Sequence, residues 1–86
     1  MTTLEHSQMV CRAFVRDNPL PAVAWLMGFG EVHRLMAECE AYLLFRGTPS
    51  VIQFGDLPVY TLVGFSGIAM LDRIAFARIG KIIVPA

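Results

Sequence analysis

Charge is scarce in this chain, and what there is cancels. Seven Lys and Arg stand against seven Asp and Glu, and charged residues make up only 16% of the 86. Phosphate recognition depends on several cations gathered on one surface. Here Arg12, Arg16, Arg34, Arg46, Arg73, Arg78 and Lys81 are spread along the chain, a distribution that speaks against nucleic acid as a partner. Zero net charge also leaves little repulsion between copies.

Cysteine is equally sparse. Cys11 and Cys39 are too few for a disulfide scaffold, and no basic segment followed by an apolar signal core opens the sequence. A reduced, cytoplasmic chain is expected, although a single Cys11–Cys39 bridge is compatible with the sequence.

Motifs that carry chemistry are missing too. A helix brings ligands together at i and i+3 or i+4, whereas His6 and Cys11 are five positions apart and His33 and Cys39 six. There is no CxxC or HExxH. Ser7, Ser50 and Ser66 lack a GxSxG setting, and GFGEVH lacks the glycine spacing and lysine of a phosphate loop. The cysteines read as small buried apolar groups, and Glu31, Glu38 and Glu40 as the solvated side of a helix. No catalytic residue, cofactor or metal is expected.

What the chain has in excess is apolar area. Hydrophobic residues are 56% of it without counting glycine, against about 45 to 50% with glycine in ordinary domains. A single domain spanning residues 1–86 buries roughly 60% of its unfolded surface, so part of this excess must meet another chain, a second copy or a membrane. The surplus peaks in Val51 to Leu71, where Asp56 is the lone charge.

Local patterns predict an α+β fold of order α-α-β-β-α. Thr2 and Glu5 hold capping-box positions ahead of a helix from Thr3 to Arg16, which Asp17, Asn18 and Pro19 end. Ala22, Trp25, Phe29, Val32, Met36, Cys39 and Leu43 recur at spacings of three and four, predicting a second helix. The GFG triplet at 28–30 kinks or breaks it, so the firm part runs from Glu31 to Arg46. Gly47 suits its C-cap and Pro49 blocks continuation.

Val51, Ile52 and Phe54, then GDLP, then Val59 to Phe65 read as a hairpin whose second strand is covered on both sides. Ser66 would cap a third helix from Gly67 to Ile79, and Lys81 to Val84 favours a short C-terminal strand. The alternative is an all-α three-helix arrangement with Asp56 as an N-cap. Its apolar helix, Leu57 to Leu71, is about 15 residues or ~22 Å long, short of the roughly 20 residues that span a bilayer.

Function then reads as binding: a non-enzymatic accessory subunit, inhibitor or adaptor that lays an apolar surface on another protein or on itself. Trp25, Met27, Phe29, Tyr60 and Phe65 are the candidate contacts, since aromatic and methionine side chains concentrate at interfaces. The alternative is a membrane-associated small subunit that uses the Trp25 region and the Leu57 to Leu71 run.

Overall fold

The computed structural model describes residues 1–38, 43–46 and 51–86. Its first helix, α1 (Thr3–Asp17), starts where the capping box places it: the Thr2 hydroxyl accepts from the Glu5 N–H at 3.1 Å, and the Glu5 carboxylate accepts from the Thr2 N–H at 3.1 Å. It ends one residue beyond Arg16, with Asn18 already extended ahead of Pro19. After it come β1 (Ala22–Met27), α2 (Phe29–Glu38), β2 (Leu43–Arg46), β3 (Val51–Phe54), β4 (Leu57–Thr61), β5 (Ile68–Asp72), α3 (Arg73–Ile79) and β6 (Val84–Pro85).

The fold class is α+β, with three helices on a mixed sheet among the described residues. The strand order is β2-β3-β4-β1-β5, and β6 pairs with β4. That sheet rules out the all-α arrangement, because Leu57–Thr61 is a strand rather than the start of a long helix.

At the centre lies β1, parallel to β4 through Trp25 opposite Val59 and antiparallel to β5 through Trp25 opposite Met70. Its side chains alternate between two cores. Trp25 and Met27 join Val59, Ile52, Val32 and Leu35 on the face covered by α1 and α2. Ala24 and Leu26 join Leu71 and Ile83 on the face covered by α3 and the segment after it. An edge-on contact between the rings of Tyr60 and Phe76, centroids 5.2 Å apart, pins α3 to β4.

Three sequence expectations are corrected here. Ala22–Met27 was expected to be helical, yet it is a strand; one buried on both faces shows no polar alternation, so its apolar residues fit a helical stripe equally well. The second helix was extended to Arg46, but Leu43–Arg46 pairs antiparallel with β3, Leu43 opposite Phe54 and Arg46 opposite Val51. The third helix begins at Arg73 and not Gly67. Asp72 caps it, accepting from the Ala75 N–H at 2.8 Å, while Ile68–Asp72 is held as a strand by β1.

The β3–β4 hairpin does form where expected. Gly55 and Asp56 both take positive φ, 57° and 63°, the pair of left-handed conformations that a two-residue type I′ turn requires. Tyr60 and Val59 on β4 face opposite cores, as the two-sided reading anticipated. The strand stops at Thr61, short of Phe65, because a turn follows. The C-terminal strand lies later than expected: β6 is Val84–Pro85, with Thr61 opposite Val84 and Tyr60 opposite Pro85, so Pro85 belongs to the strand rather than stopping it, and Lys81 and Ile82 lie in a turn. Expectations for Cys39, Glu40, Gly47, Pro49 and Ser50 fall outside the described residues.

Candidate interaction surface

Of the five nominated contacts, Trp25 and Met27 belong to the interior. Trp25 is 4% exposed and Met27 is fully buried. The Trp25 indole N–H donates to the Phe54 carbonyl at 2.9 Å, and its ring lies tilted against that of Phe54, centroids 5.4 Å apart. These contacts assign Trp25 to core packing; its truncation to Ala is the kind of change that costs about 3–5 kcal/mol. Tyr60 and Phe65 are half-buried against the second core. Phe29, the first residue of α2, is 53% exposed.

Phe29 stands beside the tightest backbone junction described. The Gly28 N–H donates to the Gly67 carbonyl at 3.1 Å, and the Gly28 carbonyl accepts from Val32 at 3.0 Å, opening α2. A Cβ on Gly28 would sit 2.6 Å from the Phe65 carbonyl oxygen and 2.9 Å from the Ser66 Cα, so only glycine lets the 65–67 backbone come this close. Of the two expectations for the GFG triplet, a kink or a break, the structure shows a break: it is the junction between β1 and α2.

The segment that meets Gly28 carries its own exposed apolar group. Phe65 donates to the Leu62 carbonyl at 3.0 Å across a turn in which Gly64 has φ of 84°, the positive value that the third residue of a type II turn demands. Val63 is thereby placed at the tip, 84% exposed. Phe29 and Val63 lie on the two segments stitched together at Gly28, just past the carboxyl ends of the parallel strands β1 and β4. Sequence reasoning missed Val63 by placing it inside a strand; the Val63–Gly64 pair within an apolar run was the available turn signal.

Elsewhere the polar groups serve the fold. Glu38, at the end of α2, accepts from the Thr3 N–H at 3.2 Å and the Leu4 N–H at 3.1 Å. The Leu4 N–H is the main reason its carboxyl lies below the usual glutamate range. The Thr2 backbone N–H lowers Glu5 in the same way. Glu31 pairs with Arg34 at 2.9 Å. His6 and His33 are exposed, and Cys11 is a half-buried free thiol packed against the first core. No three His, Cys, Asp or Glu side chains converge as a metal site among the described residues.

Recesses along α1 include one at each of its ends. A polar one of about 160 Å³ lies between its start and α2, lined by Thr2, His6, Glu31 and Arg34. An apolar one of about 380 Å³ lies at its other end, lined by Phe14, Val15, Leu20 and Pro21. Neither gathers a nucleophile with a base. Among the described residues, no helix is long and apolar enough to cross a membrane. The chain matches no protein-family model, no curated protein and no solved structure.

Proposed function

We propose that this chain is a non-enzymatic protein-interaction module, a cytoplasmic accessory subunit, inhibitor or adaptor, that docks a partner polypeptide or a second copy of itself through the Gly28 junction. The observation that carries this reading is the exposure of Phe29 and Val63 on two segments joined by the Gly28–Gly67 hydrogen bond and packed closely at Gly28. Interfaces concentrate their binding energy in a few aromatic or apolar anchors on a preorganised support. Phe29 is the aromatic anchor here. Val63 stands at the tip of its turn, and Phe65, two residues on, is half-buried against the second core.

The compositional surplus supports the same reading. Met9, Val15, Phe29, Val63, Ile74, Ile82 and Val84 remain substantially exposed after both faces of the sheet are covered, on a chain without net charge to keep copies apart.

Light scattering during size exclusion, together with affinity capture from the native host, tests this directly. Wild-type protein is expected to self-associate or to retain a defined partner. Replacing Phe29 and Val63 together with Ser is expected to weaken that association at least tenfold, as loss of a hot spot does, with the far-UV circular dichroism unchanged. A monodisperse monomer that retains no partner, or an association indifferent to the double replacement, would overturn the reading.

A further inference from the structure

A second surface, formed by α3 and the turn after it, combines apolar exposure with an excess of positive charge. Residues 73–86 contain Arg73, Arg78 and Lys81 and no Asp or Glu, although the whole chain is neutral. Asp72, the acid that precedes the segment in sequence, is engaged as the cap of α3.

Helical geometry sorts this segment. At 100° per residue, the inward residues Ala75, Phe76 and Ile79, which pack on the second core, fall on one arc of α3. The exposed residues Arg73, Ile74, Ala77 and Arg78 fall on the opposite arc. Arg73 and Arg78 lie at its two margins, and Ile74 and Ala77 lie between them. The Ile82 and Ile83 N–H groups both donate to the Ile79 carbonyl, at 3.0 and 3.3 Å, so the chain turns once more and adds exposed Lys81 and Ile82. Ile74 and Ile82 are 48% and 60% exposed.

We propose that this face, α3 with Lys81 and Ile82, binds the surface of a bilayer containing anionic phospholipid. An apolar centre with cations at its margins has the chemistry of an interfacial helix: isoleucines enter the boundary between headgroups and acyl chains while longer basic side chains reach back to the phosphates. The charge complementarity belongs to this segment alone and not to the chain's overall balance. The proposal uses neither Phe29 nor Val63, the anchors of the protein-docking surface. It also replaces the Trp25 and Leu57 to Leu71 regions, largely enclosed in the fold, as the lipid-facing part.

Co-sedimentation of the full chain with two kinds of vesicle tests this, one of phosphatidylcholine alone and one of equal parts phosphatidylcholine and phosphatidylserine. Binding is expected on the anionic vesicles, weakening as salt is raised. Arg78→Gln and Lys81→Gln should each reduce partitioning about fivefold, and Ile82→Asp should abolish it, with circular dichroism confirming that these exposed replacements leave the fold intact. Arg12→Gln, on α1, should change nothing. Absence of vesicle binding, equal binding to both vesicle types, or equal loss in the Arg12→Gln variant would overturn the proposal. So would retention on polyglutamate without vesicle binding, which would assign the face to an acidic protein.

Discussion

Thr61 carries a hydroxyl that its surroundings do not use. The residue is 1% exposed, and its Oγ1 has no hydrogen-bond partner among the described residues. Burying an unsatisfied polar group costs about 1–3 kcal/mol, and valine keeps the β-branched shape without that cost. Thr61→Val is therefore expected to raise unfolding free energy by about 1 kcal/mol or more, read as a higher urea midpoint at unchanged slope. A lower midpoint would reveal that the hydroxyl does have a partner. Trp25 teaches the complementary lesson about reading residues. Its chemistry suits an interface and a core equally, and what assigns it to the core is the Phe54 carbonyl 29 positions away, a contact that no local pattern announces. Phe29 resembles it in type and in the apolar stripe, yet is exposed because α2 begins with it.

Elements were legible where their signals are local. The Thr2–Glu5 box, the Asn18–Pro19 stop and the Gly55–Asp56 turn are each decided by neighbours within a few residues, and each stands as expected. The β1 strand was not legible, because its state is decided by β4 and β5 from far along the chain, and α3 was lengthened because Ile68 to Leu71 is apolar enough to fit either state. Coupling between helices was also hidden. Glu38 sits at the end of α2, where its charge opposes that helix's own dipole, but it faces the start of α1, where a carboxylate is favoured.

Its carboxyl is lowered in the folded chain, so the unfolded chain binds the extra proton as acid is added. The stability this contact contributes is present above the ordinary glutamate range, about 4.3, and is lost as pH falls through the lowered native value. Wild-type and Glu38→Gln proteins should differ in melting temperature at pH 7 and converge once the pH has fallen through that lowered native value. A difference that persists at low pH would show that the charge is not what joins α2 to α1.

For the whole molecule, protection should grade outward from the middle of the sheet. Because β1 is paired along both edges and covered on both faces, the Trp25 and Leu26 amides are expected to exchange with deuterium only through global opening. Those of Ile82 and Val84, in a turn and a two-residue strand at the surface, should exchange orders of magnitude faster. Comparable rates in both places would mean that the sheet does not unfold as one cooperative unit.

The position of β1 has a consequence for biosynthesis. Its neighbours β4 and β5 are encoded downstream, ending at Asp72, so the ribosome delivers AVAWLM roughly 50 codons before its last pairing strand, an interval of seconds at ordinary elongation rates. Throughout that time the nascent segment is a bare oily stretch with nothing native to zip against. Newly made copies should therefore lean on trigger-type holdases, and slower translation across residues 28–72 should lower the soluble yield.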